Sequence, residues 1–347
     1  MGQTSNSSLA IRVESLPAIR VESLRKTYRN RAGTVEAVRG VSFDVAHGEV
    51  FALLGPNGAG KTTTLEILEG SLARDSGTVA VLGLDPGSRA DLNRLRKRVG
   101  IVLQETAVEP YLTVSEVLRR NAAYYSNPRP IEEVIELVGL TEKAKARVKT
   151  LSGGQQRRLD VALGLVGRPE LLFLDEPTTG FDPSARRGAW ELVHGLTRLG
   201  TTIVLTTHYM DEAQALADRV AVIVGGEIVA QGPPDSLAGR DRAATRIRFR
   251  LPAGVRREDL PLPATIAADA PEDLRDQLVE IDTDDDVPVL HELTGWALRK
   301  GHDLDALTVD RPSLEDVYLG LTGSAATAIP PPGSRQPAAT QPSGAAS

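Results

Sequence analysis

Short apolar runs alternate with amphipathic stretches along most of the chain. Between residues 18 and 240, Glu49-Val-Phe-Ala-Leu-Leu-Gly55, Leu171-Leu-Phe-Leu-Asp175 and Thr202-Ile-Val-Leu-Thr206 are nearly continuous leucine or β-branched segments. Such runs belong to strands covered on both faces, so the pattern predicts α/β architecture around a mostly parallel sheet. Asp182-Pro183 reads as an N-cap followed by proline in the first helical position, and Gly200 closes a helix over 183–199 with Leu192, Leu196 and Leu199 on one side. Gly225-Gly226, between Ala221-Val-Ile-Val224 and Ile228-Val-Ala230, predicts a two-residue hairpin at the end of the sheet.

Past residue 240 the texture changes. Ile247-Arg-Phe-Arg-Leu251 alternates like a half-exposed strand, and Leu278-Val-Glu-Ile-Asp282, a helix over 287–300 and Leu307-Thr-Val309 follow. These predict a small α+β accessory domain over 241–323. Residues 324–347, with Pro330-Pro-Pro332 amid Ala, Ser, Gln and Gly, hold too little apolar surface to order themselves. At the other end, Ala10-Ile-Arg-Val-Glu-Ser-Leu16 recurs unchanged as Ala18-Ile-Arg-Val-Glu-Ser-Leu24. Only one copy can serve as the first strand, so residues 1–17 are read as a disordered extension and 18–240 as the main domain.

Composition narrows the function classes. The absence of cysteine excludes disulfides, thiolate metal sites and cysteine nucleophiles, and a net charge of −6 argues against a broad nucleic-acid-binding face. No window approaches eighteen consecutive apolar residues, so the chain is expected not to span a membrane. Residues 1–8 lack the basic and apolar regions of a signal peptide, so the chain is expected to stay where it is made.

Gly55-Pro-Asn-Gly-Ala-Gly-Lys-Thr62 matches G-x-x-x-x-G-K-[ST] between a buried strand and a helix beginning near Lys61. Glycines let successive N–H groups turn inward, and the helix N-terminus adds positive potential, which makes a phosphate cradle. Lys61 would reach the β- and γ-phosphates, and the Thr62 hydroxyl would ligate Mg²⁺ together with an acidic residue from another strand. Asp175-Glu176 follows Leu171–Leu174 at the carboxyl edge of the sheet, where α/β folds bind ligands. Asp175 would hold the metal and Glu176 would polarise the attacking water.

Leu151-Ser-Gly-Gly-Gln155 has capping-box spacing between Ser152 and Gln155, and Leu159, Ala162, Leu163 and Val166 follow at helical spacing. Gly153 and Gly154 leave the helix N-terminus bare, a second anion site. It is explained most simply if it serves a nucleotide held by another molecule.

Together these residues resemble the ATP-binding-cassette family over about residues 19–235. The resemblance implies a P-loop cassette fold: a mostly parallel core sheet, an antiparallel β subdomain and a helical signature subdomain. It implies ATP and Mg²⁺ as ligands, with nucleotide contacts at Tyr28, which matches the aromatic that stacks on adenine, and along Gly55, Pro56, Asn57, Gly58, Ala59, Gly60, Lys61, Thr62 and Thr63. Metal ligation falls to Thr62, Gln104 of the Q-loop and Asp175; catalysis falls to Lys61, Gln104, Glu176 and the switch histidine His208. Gly180-Phe-Asp182 matches the D-loop, with phenylalanine where leucine is usual.

In that family two cassettes close head to tail, so Leu151, Ser152, Gly153, Gly154 and Gln155 would cap the partner's ATP. Leu307-Thr-Val-Asp-Arg-Pro-Ser-Leu-Glu-Asp-Val-Tyr-Leu-Gly-Leu-Thr-Gly323 is similar to the ending of ATPase subunits of daunorubicin-resistance-type exporters. The implied partners are a second copy and a separate permease, docked near residues 105–118, which would hold the chain at the cytoplasmic membrane face. The permease substrate would be a drug, an antibiotic or a lipid. The alternatives are a soluble ATPase of the same family acting in translation or DNA repair, or a nucleotide-sensing module. The first is weakened by a single signature, no sustained heptads and the negative net charge, the second by the presence of both Glu176 and His208.

Overall fold

The fold is described from a computed structural model over residues 16–30, 33–103, 108–237, 239, 244–267, 277–310, 314, 315 and 318. The first half runs β1 (Ile19–Asn30), β2 (Gly33–Val45), β3 (Val50–Leu54), α1 (Lys61–Glu69), β4 (Ser76–Val81), α2 (Arg89–Leu95), β5 (Val99–Val102), α3 (Val114–Ala122), α4 (Ile131–Leu137) and α5 (Gly153–Leu165). There follow β6 (Leu171–Asp175), α6 (Pro183–Arg198), β7 (Thr202–Thr207), α7 (Met210–Leu216), β8 (Arg219–Val224) and β9 (Glu227–Gly232). Beyond them lie β10 (Thr245–Arg250), β11 (Thr265–Ile266), β12 (Leu278–Thr283), α8 (Asp286–Lys300) and β13 (Thr308–Asp310).

The core sheet has the order β5-β6-β7-β3-β8-β9. Its first five strands are parallel and β9 returns antiparallel through Gly225 and Gly226, whose φ values of 56° and 87° suit the tight turn expected there. Strand period decides the layers. Along β3, Val50, Ala52 and Leu54 enter one apolar cluster while Phe51 and Leu53 enter another, and all five are buried. This is why the strand reads as an unbroken apolar run. The first cluster joins the sheet to α3, α4, α5 and α6, and the second joins it to α1 and the antiparallel sheet β2-β1-β4. That smaller sheet uses the second copy of the duplicated segment as β1; the first copy lies outside the described residues, apart from Leu16.

β10, β11, β12 and β13 form a separate antiparallel sheet of order β11-β12-β10-β13, closed on one face by α8. Ile247 and Phe249 of β10 are fully buried with Trp296 of α8, while Arg246 and Arg248 pair with Asp282 and Glu280 on the other face. The alternation of this strand therefore reports a one-sided sheet. Leu314, further along, is buried again in the first cluster of the main domain, and Tyr318 packs against it. The expected disordered tail at 324–347 lies outside the described residues.

One local expectation is corrected. Leu199 is 54% exposed because α6 ends at Arg198, and the buried side is carried by Val193 and Leu196. α2 stops at Leu95, and beyond it Arg98 makes a bidentate pair with Glu170, at 2.6 and 2.8 Å.

Candidate functional site

The carboxyl ends of β3, β6 and β7 lie side by side, and Lys61, Thr62, Asp175, Glu176 and His208 meet there. After β3 the chain turns through 55–60 into α1. Two of its glycines are required by close backbone approach: a Cβ at Gly55 would stand 2.3 Å from the Ile223 carbonyl, and one at Gly60 would stand 2.2 Å from that of Ala37. Gly60 also carries φ 102° and opens the helix without a side-chain cap, leaving the α1 N-terminus bare.

Lys61 is 4% exposed, and its ammonium donates to the carbonyls of Gly55 at 2.8 Å and Pro56 at 3.2 Å. Burial pulls its pKa below the ordinary lysine value, against the attraction of Glu176 and Asp175. The Thr62 hydroxyl donates to Asp175 Oδ1 at 3.3 Å, and that oxygen also accepts from Thr206 at 2.5 Å. Thr62 and Asp175 therefore place two hard oxygen donors side by side, a fit to Mg²⁺, which takes one or two protein ligands and fills its octahedron with phosphate and water. No cluster of three or more His, Cys, Asp or Glu suited to a metal occurs among the described residues.

Glu176 lies between the ammonium of Lys61 and the imidazole of His208. Its Oε1 is 3.6 Å from Lys61 Nζ and 3.3 Å from His208 Nδ1, the latter outside hydrogen-bonding geometry. Its other oxygen accepts from the Thr179 hydroxyl at 3.0 Å, and its backbone N–H donates to Thr206 Oγ1 at 3.0 Å. The His208 ring rests against Tyr209, 4.1 Å between centroids, and Arg186 of α6 lies 4.2 Å over the Tyr209 ring while pairing with Asp211 at 2.9 Å. A carboxylate so placed, beside a lysine, a histidine and a strand-end threonine, can accept a proton from water at the edge of a phosphate cradle.

Tyr28 of β1 is 39% exposed, with its hydroxyl 3.4 Å from that of Thr63 in α1. Asp182 caps α6, accepting from the N–H groups of Ser184 and Ala185. Ser152 and Gln155 form the reciprocal capping box, at 3.0 and 3.4 Å, and Gly153 is exposed at the tip of α5. Gln104 lies outside the described residues. Thr206, Thr179, Tyr209 and Arg186 were not singled out from sequence. Thr206 had a usable signal, a hydroxyl at the end of a buried strand, but its pairing with Asp175 depends on the β6–β7 register.

Glu69, at the end of α1, is 4% exposed, and burial, with Asp175 and Glu66 adding to it, pushes its carboxyl up to about 8. The folded value stands above the unfolded one of 4.5, so the protonated carboxyl suits the fold and stability falls as pH rises from 4.5 through about 8. Glu69→Gln in the nucleotide-free chain is expected to be nearly neutral near pH 4.5 and to stabilise by about 2–4 kcal/mol above pH 8. Melting temperatures of both chains across that range check this; a constant difference would contradict it.

A parallel sheet, a glycine turn into a Lys-Thr helix, and strand-end carboxylates facing that turn define a P-loop nucleoside triphosphatase. Comparison with known proteins narrows this. The ABC transporter family profile matches residues 38–179, and that of the C-terminal domain of ABC transporter domain-containing protein-like chains matches 245–313. The Nod factor export ATP-binding protein I of Ralstonia nicotianae is 39% identical over 90% of this chain and 95% of its own length. The linearmycin resistance ATP-binding protein LnrL of Bacillus subtilis is 35% identical over 88% and 98%, and the daunorubicin/doxorubicin resistance ATP-binding protein DrrA of Streptomyces peucetius 37% over 88% and 92%.

Among solved structures, cbiO1 of Clostridium perfringens, part of the ABC transporter complex cbiONQ, superposes with TM-score 0.56 at 30% identity, covering 64% of this chain and 90% of its own. The dimeric cassette MJ0796 bound to ADP and Pi has the same fold, with TM-score 0.57 at 24% identity over 62% and 98%. The chain belongs to the ABC transporter family, as an ATP-binding subunit that hydrolyses ATP.

Proposed function

We propose that this chain is the ATPase subunit of an exporter, which powers efflux of a drug-like, antibiotic or lipid substrate through a separate membrane permease. The observation that carries the reading is the convergence of Lys61, Thr62, Asp175, Glu176 and His208 on one point at the sheet edge. The names of its relatives, built on export and resistance, support the exporter over a role in translation or DNA repair. No helix among the described residues is long and apolar enough to cross a membrane, and in this reading the transport path belongs to the permease.

In this reading the backbone N–H groups of 55–63, with Lys61, cradle the phosphates of ATP, and Tyr28 stacks on the adenine, with Thr63 beneath its hydroxyl. Thr62, Asp175 and Gln104 hold Mg²⁺, which neutralises charge developing on the phosphates when bound. Glu176 takes the proton of the attacking water, and His208 orients that carboxylate and faces the γ-phosphate. Two copies meet head to tail, so Leu151, Ser152, Gly153, Gly154 and Gln155 of each close over the nucleotide of the other, with Asp182 holding the D-loop at the same seam. The permease meets the surface near 105–118 and keeps the chain at the cytoplasmic face of the membrane.

Affinity capture of the full chain from native membranes in mild detergent tests the assignment. A polytopic membrane protein is expected to copurify stoichiometrically. Capture of ribosomal or nucleic-acid-associated proteins in its place would overturn the exporter reading.

A further inference from the structure

Glu176 has an unusual backbone. Its φ is 44°, in the left-handed region that costs a residue with a Cβ about 1–2 kcal/mol, so the surroundings have to hold it there. On the N-terminal side the Asp175 carbonyl accepts from Arg157 Nη2 at 2.9 Å. On the C-terminal side the Pro177 carbonyl accepts from Nε of the same arginine at 3.1 Å. The remaining arm, Nη1, donates to the carbonyl of Leu103, the residue before Gln104. One guanidinium thus grips the chain on both sides of Glu176 and ties it to the residue that follows β5.

Arg157 belongs to α5, five residues after Ser152, and is 8% exposed. Burying a guanidinium is costly unless its donors are satisfied, and here three of them go to main-chain carbonyls on two segments, while a carboxylate oxygen of Asp160 is 3.9 Å away. Only a planar fork can span three such acceptors, since an ammonium is a point donor on a flexible stem.

We propose that Arg157 is a positioning residue, which holds Glu176 in its strained conformation and couples the signature helix and the end of β5 to the orientation of that carboxylate. A shift of α5 against the core sheet then moves the flanking carbonyls, so engagement of the signature by a partner alters the aim of Glu176. The inference rests on Glu176 being the residue that activates water.

A double-mutant cycle tests it on the full chain, with steady-state hydrolysis of MgATP as readout. Arg157→Lys is expected to lower kcat about 10- to 100-fold and to move KM for ATP by less than about threefold, the signature of misaimed chemistry with binding intact. In the Glu176→Gln background the same change is expected to have no further effect, within about twofold, because the group it positions is already disabled. An unchanged kcat, a fall that recurs in full in the Glu176→Gln background, or a KM that rises as much as kcat falls would overturn the proposal. A Glu176→Gln chain with normal turnover would instead sink the assignment of Glu176. Should Arg157→Lys not fold, Arg157→Gln, which keeps two N–H donors, takes its place; if neither folds, the arginine is structural and the proposal fails.

Discussion

Glu176→Gln is expected to leave ATP binding intact and to lower hydrolysis about 10²–10⁴-fold, the usual worth of a general base. The substitution is nearly isosteric, so a side-chain oxygen can still accept from Thr179, and the backbone bond to Thr206 is untouched. What is lost is the negative charge, 3.6 Å from Lys61 and 3.3 Å from His208, and with it the capacity to take a proton. Equilibrium ATP binding and phosphate release, measured on the same preparation, separate the two effects. Turnover at the level of the unaltered chain would remove Glu176 from the mechanism, and lost binding would assign it to holding nucleotide.

Ser152→Arg is expected to abolish turnover while a single chain still binds ATP. Ser152 is exposed at the N-terminus of α5, where its hydroxyl accepts from the Gln155 N–H. Losing that cap costs about 0.5–2 kcal/mol, so the chain stays folded with a modest fall in melting temperature. The larger consequence is steric: an arginine side chain covers the bare glycine amides that would meet another chain's phosphates. Loss of ATP binding by the monomer would mean that the signature serves its own chain's P-loop, contrary to the shared-site reading.

Much of this site was legible because it is written in short, local spacings. The glycine turn, the helix starting at Lys61, the Ser152–Gln155 capping box and the Asp182 cap each need only a few consecutive residues, and each appears where expected. The buried strands were legible for a related reason, since apolar runs without alternation leave few options but a sheet covered on both faces. What escaped depends on distant pairing. Thr206 meets Asp175 only through the register of β6 and β7, and Arg157 meets Pro177 and Leu103 only once α5 lies across the sheet. The left-handed conformation of Glu176 could not be read at all, because a glutamate carries no sign of it. The pairing of Arg98 with Glu170 is equally distant, since Glu170 stands just before β6, far along the chain.

The central claim is that two chains build each ATP site between them, and mixing two inactive variants tests it most directly. Lys61→Ala removes the phosphate-binding ammonium and Ser152→Arg blocks the signature, so each variant alone should be inactive. In a mixed head-to-tail dimer, one of the two sites combines the intact P-loop of the Ser152→Arg chain with the intact signature of the Lys61→Ala chain. Equal mixing should therefore restore hydrolysis to at most about a quarter of the unaltered rate, since half the dimers are mixed and each has one competent site. Activity no greater than the sum of the two variants, in a sample where mixed dimers are demonstrated by cross-linking, would contradict the shared site.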